Sequence, residues 1–167
     1  MSLAGCTGSG THRSPRQSRR SPEAKADPDV ALAGRALARE RAMLQQVSAT
    51  VHAHPGLAGV LAGTRATHRA HVRLLAHAVP DKQASSSPTP TTPSPTPTAG
   101  GGHRPAVPHR PGEALAALAR QEARLAQFGR ESAQTARSGA FARVLASAAA
   151  AAAQQVRGLT AAAGTRR

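Results

Sequence analysis

Only two aromatic side chains, Phe128 and Phe141, are available to this 167-residue chain, which has neither Trp nor Tyr. A β-sandwich fills its interior with aromatic and β-branched residues, so a chain this poor in them suits that architecture badly. Its apolar stock is Leu, Val and above all Ala, including the run Ala148–Ala153. Ala is the strongest helix former and allows helices to approach closely. The expected fold class is all-α.

Proline and glycine divide the helices. Asp27-Pro28-Asp29 offers an acidic N-cap, a proline at the first helical position and a carboxylate in the first turn. His54-Pro55-Gly56 closes this helix and opens a second, which is expected to run to Val79-Pro80. A third begins near Pro111-Gly112-Glu113 and breaks at Ser138-Gly139, and a fourth covers about Phe141 to Leu159. Between the second and third lies Ala84–Thr98 (ASSSPTPTTPSPTPT), whose prolines fix φ and remove donors, continued by AGGG and HRPAVPHRPG. Thr-Pro tracts of this kind are O-glycosylation targets in exported proteins. The organisation expected is a disordered basic tether over 1–27, a helical hairpin over 28–79 and a disordered linker over 80–112. A second hairpin of the same bundle follows over 113–160, then a disordered tail over 161–167. The hairpins resemble each other: 36–47 lies over 117–128 at an offset of 81, and 57–75 over 141–159 at an offset of 84.

Helical periodicity assigns each segment an apolar stripe. In the first, Val30, Leu37, Leu44 and Val51 recur every seven residues, with Ala33, Glu40 and Val47 in a second seam. The second reads Leu57, Leu61, Thr64, His68, His71, Leu75, Ala78, and the third Leu115, Leu118, Glu122, Leu125. The fourth presents Phe141, Val144, Leu145, Ala148, Ala152, Val156 and Leu159 on one face. Three of the four stripes thus carry ionisable groups, which are costly in a core unless partnered. Glu40, His68, His71 and Glu122 admit two readings. The first is a buried cluster in which the carboxylates hydrogen-bond the imidazoles and fix helix register, with no cofactor. The second is a mononuclear site, an N₂O₂ set for Zn²⁺ or Fe²⁺, since an i, i+3 His pair shares one helix face.

Two hairpins joined by a long crossover, with the D-P-D start at 27–29, the H-P-G-L turn at 54–57, the T-H-R-A-H run at 67–71 and the Pro-rich linker, resemble the small ferritin-like lipoproteins of actinobacteria. The likeness covers about residues 28–160 and implies a ferritin-like four-helix bundle. Metal-binding members of that fold take a Glu from each of two helices and an E-x-x-H pair from each of the others. Glu40, Glu122 and His71 match such positions, but His68 stands where the first Glu of the pair belongs. In the fourth helix the corresponding positions are Ala152 and Gln155, and no Asp, Glu or His follows Glu131. A carboxylate-bridged di-iron centre cannot be assembled from these residues, so its oxidase chemistry is not expected. Nor is there a G-x-S-x-G elbow or a phosphate-binding loop to suggest another enzyme.

The single cysteine ends Leu3-Ala4-Gly5-Cys6, which has the form of a bacterial lipobox, with Cys6 as the lipid-bearing residue. A working signal needs a charged and an apolar region upstream, where this sequence has only Met1 and Ser2. The lipoprotein reading therefore places the true start further upstream and the protein outside the cytoplasm, anchored to the membrane through Cys6. Without such an extension the reading is cytoplasmic. The formal net charge of +14, almost all from Arg, favours anionic partners such as an envelope surface. Nucleic acid is a weaker expectation, because only Lys25 and Lys82 are lysines, no recognition motif occurs, and no aromatic residues are placed to stack bases. An Ala-rich core of this size is marginal, which leaves room for a homodimer. The functional expectation is a non-catalytic envelope lipoprotein with a binding or scaffolding role. A mononuclear metal protein and a basic nucleic-acid binder are the alternatives.

Overall fold

The Asp27 carboxylate accepts the Asp29 amide at 2.9 Å and Pro28 occupies the first helical position, so α1 (Pro28–Ala53) starts where the D-P-D signal places it. In this computed structural model, which describes residues 27–79 and 106–166, a 3₁₀ turn at Pro55–Leu57 leads into α2 (Ala58–Ala76). Then come α3 (Pro111–Thr135) and α4 (Gly139–Gly164), the latter capped by Ser138, whose Oγ accepts the Phe141 amide. All regular structure among the described residues is helical.

Contacts at the helix ends fix the topology. Asp29, in the first turn of α1, meets the α3–α4 turn: its carboxylate accepts the Arg137 and Ser138 amides at 2.9 and 2.7 Å. At the other end of α1, Gln46 and His54 bond carbonyls just ahead of α3. So α1 runs antiparallel to α3. Thr64, early in α2, bonds Gln155, late in α4, so these two are also antiparallel. Each hairpin is antiparallel within itself, which leaves α2 and α3 parallel. The chain between them must therefore join opposite ends of the bundle, about 30 Å apart at 1.5 Å per helical residue.

The tightest pairing is α3 against α4, and small residues make it so. A Cβ on Gly129 would lie 2.9 Å from the Ala149 Cβ, and one on Gly112 would lie 3.0 Å from the Arg166 carbonyl. The core falls into two apolar halves. Met43, Val47, Leu57, Leu61, Leu115, Leu118 and Leu159 form one, and Leu32, Leu37, Leu75, Val79 and Leu145 the other. Glu40, His68 and Glu122, all buried, lie between them in sequence on their three helices.

The stripes of α2 and α3 are as expected, except that Ala78 is exposed and His71 and Leu125 are half-buried. In α1 the seam of Ala33, Glu40 and Val47 is buried, whereas Val30, Leu44 and Val51 are only half-buried, and Leu32, Ala36 and Met43 replace them. The row picked out by side-chain size is offset from the buried face, and only Leu37 is common to both. Several boundaries also differ. Residues 106–110, assigned to the disordered linker, dock on α1 because the Ala106 and Pro108 carbonyls meet Gln46 and His54 at 3.2 and 2.8 Å. Pro111 and Gly112 already belong to α3. Residues 161–164, assigned to the tail, continue α4, where Ala163 packs into the core. Residues 1–26, 80–105 and 167 lie outside the described residues, and with them Cys6 and the Thr-Pro tract.

Candidate functional site

His68 is brought to the centre of the bundle by the α2 stripe and is gripped on both edges. Its Nδ1–H donates to Glu40 Oε2 and its Nε2–H to Glu122 Oε1, each at 2.6 Å. His71, one turn on, donates Nδ1–H to the other Glu40 oxygen, Oε1, at 3.0 Å. The two imidazoles meet edge to face, 6.3 Å between centroids. Three helices thus contribute to one chain of hydrogen bonds, Glu122–His68–Glu40–His71.

Two carboxylates on one ring favour its cation. An imidazole can donate from both nitrogens only as the cation. Burial opposes that charge, but the hydrogen bonds to Glu122 and Glu40 and the charges of those carboxylates outweigh it, raising the His68 pKa from 6.5 to about 9. Burial likewise opposes ionisation of Glu40, yet the hydrogen bonds and charges of His68 and His71 hold its carboxyl below the ordinary 4.5. At neutral pH the centre is therefore an ionised Glu40–His68 pair. Glu122 Oε2 is the one buried side-chain polar atom without a partner among the described residues.

The four residues expected to form an N₂O₂ set do come together, but they do not converge on one point. His68 turns Nδ1 toward Glu40 and Nε2 toward Glu122, so the two carboxylates sit on opposite edges of its ring. Donor atoms of Glu40, His68 and His71 alone lie within 4.8 Å of one another. If a cation sat there, Glu122 would orient His68 from behind, the usual place for a carboxylate that supports a histidine ligand. A second metal has no place: α4 presents the buried Ala152 and Gln155, and Gln155 is engaged by Thr64 Oγ1 at 2.6 Å. The residues do not fit a di-metal centre.

Beside the polar layer a cleft of about 430 Å³ opens between α2 and α4, with α1 and α3 as its floor. Leu74, Leu125, Phe128, Val144 and Ala148 line it, and Glu40 and His71 are the polar-layer residues that reach it. Arg39 lies over the outer face of the Phe128 wall, its guanidinium carbon 4.2 Å from the ring centroid. Sequence periodicity gave no sign of this space, because it exists only where two helices of different hairpins fail to close. The Thr64–Gln155 bond was equally hidden, although Thr64 had a place in the α2 stripe. Among the other described histidines, His52, His77 and His109 are exposed, whereas His54 is half-buried and bonds Pro108. Arg65, Arg69 and Arg73 form an exposed row along α2.

No family model, curated protein or solved structure matches this chain.

Proposed function

We propose that this protein is a non-catalytic binding or scaffolding module of the cell envelope, lipid-anchored through Cys6. Its bundle is ferritin-like, with an ion cluster standing where a di-metal centre would be. The observation that carries the reading is His68, both of whose nitrogens are taken by carboxylates at 2.6 Å. A ring so used gives both carboxylates a partner without a metal. Support for a ferritin-like assignment comes from two antiparallel hairpins whose inner helices run parallel and so require a long crossover. The exposed row Arg65, Arg69 and Arg73 suits an anionic surface.

The test is metal content of the purified full chain after exposure to Zn²⁺, Fe²⁺ and Mn²⁺ and desalting. The expected result is far less than one equivalent. About one equivalent, lost in both Glu40→Gln and His71→Ala, would overturn the reading in favour of a mononuclear site. That second reading has its own support in the three donors within 4.8 Å. For the anchor, labelled palmitate should enter the wild-type chain in its native host and be lost in Cys6→Ser. An unlabelled chain in the cytoplasmic fraction would sink the envelope assignment.

A further inference from the structure

From the cleft between α2 and α4 we infer a binding site for a neutral, mainly apolar molecule carrying one hydroxyl, held by that hydroxyl against His71. The inference deepens the binding role proposed above and rests on the metal-free reading of the cluster.

The cavity is of the size that holds small ligands, and its walls are largely apolar. Leu74 stands on its rim with 52% of its surface exposed, one of only two large hydrophobic residues so exposed among the described residues. Its side chain extends the apolar lining of the cleft to the surface. The polar end selects the head group. Each Glu40 oxygen already accepts one imidazole N–H and, as a carboxylate oxygen, can only accept, so this side of the cleft also asks the ligand for a donor. His71 uses Nδ1 on Glu40, and its Nε2 has no partner among the described residues. A hydroxyl can donate to a bare Nε2 or accept from an Nε2–H, so a ligand O–H complements this nitrogen.

Charged heads fit less well. A carboxylate at His71 would face the ionised Glu40 in a low-dielectric setting, and an ammonium would have to pass Arg143 at the mouth. A hydroxyl carries neither cost and leaves the rest of the molecule against Phe128, Val144 and Ala148.

The test uses the full chain and three probes of one shape: 4-pentylphenol, its methyl ether, and 4-pentylbenzoate, titrated calorimetrically at pH 8. The phenol should bind about tenfold tighter than the ether, the value of one good neutral hydrogen bond. His71→Phe should erase that preference while keeping ether binding. Ala148→Phe, which fills the cleft away from the ion cluster, should abolish binding of both with the far-ultraviolet circular dichroism unchanged. Equal affinity of phenol and ether, tightest binding of the benzoate, or no binding at all would each overturn the inference. Metal content measured on the same sample separates the two failures. Metal at one equivalent removes the reading beneath, whereas a metal-free protein indifferent to the hydroxyl removes this inference alone.

Discussion

Glu40 and Glu122, on helices from different hairpins, are joined through a single imidazole: each accepts one N–H of His68 at 2.6 Å. The two hairpins are thereby locked in one register, since a shift of one turn would leave two carboxylates and a cation buried and unpaired. Removing the middle of the chain should be severe. His68→Leu is expected to lower unfolding free energy by about 3–5 kcal/mol, the range for breaking a buried ion pair from one side. Replacing all three groups together, Glu40→Met, His68→Leu and Glu122→Met, should leave the bundle as stable as the wild type or more so by about 1–4 kcal/mol. Urea titrations followed at 222 nm distinguish these outcomes. A single mutant no worse than the triple would show that the cluster does not hold the bundle.

The same cluster sets the pH dependence. The His68 pKa is higher in the folded state, about 9 against 6.5, so its stabilisation is complete below pH 6.5 and is lost as pH rises through 9. The difference corresponds to roughly 3 kcal/mol. Glu40 has the opposite sign: its folded pKa is depressed, so its contribution is complete above pH 4.5 and is lost as pH falls through the lowered value. The groups facing His68 are Glu40 and Glu122, and His71 faces Glu40. Urea midpoints should therefore be highest between about pH 4.5 and 6.5. In the triple apolar variant the alkaline decline should disappear. A wild-type midpoint that stays level from pH 6 to 9 would contradict the assigned charge on His68.

Why the sequence revealed the ion cluster but not the cleft is a matter of range. Glu40, His68 and Glu122 announce themselves because an ionisable residue inside a 3.6-period apolar stripe is conspicuous within its own helix. Their mutual arrangement was not legible: nothing local says that His68 turns one nitrogen to each carboxylate, or that His71 stops at Glu40. The α1 stripe is misplaced because Val30, Leu44 and Val51 are larger than Ala33 and Ala36, which turn inward beside Leu32, Leu37, Met43 and Val47. Size and burial diverge when Ala supplies the core. The docking of Ala106 and Pro108 was invisible for a similar reason, since backbone carbonyls carry no sequence signal.

Glycine substitutions should separate packing from propensity. At Gly129 a Cβ would come within 2.9 Å of the Ala149 Cβ and 3.2 Å of the Leu145 carbonyl, so α3 and α4 would have to part. Gly129→Ala is expected to cost about 1–3 kcal/mol despite the better helix former. At Gly158, on the exposed side of α4, nothing lies within 4 Å of the added atom. Gly158→Ala should therefore stabilise by about 0.5–1 kcal/mol. Thermal unfolding of the two variants side by side should move in opposite directions, and parallel shifts would refute the close approach at Gly129.

Asp29 ties the start of α1 to the turn between α3 and α4, its Oδ1 accepting the Arg137 amide and its Oδ2 the Ser138 amide. These amides precede α4, where the helix ladder offers them no acceptor of its own. The contact is exposed, so water partly replaces it when it is lost. Asp29→Ala should then cost about 1–2 kcal/mol, below the range for a buried charge-assisted pair. Asp29→Asn keeps one acceptor oxygen and should cost about half as much. The more specific readout is amide hydrogen exchange. Arg137 and Ser138 should lose more protection in Asp29→Ala than amides in the middle of α3, whose exchange quickens only by the global destabilisation. Unchanged protection at both positions would mean that the turn is held by its own helices rather than by α1.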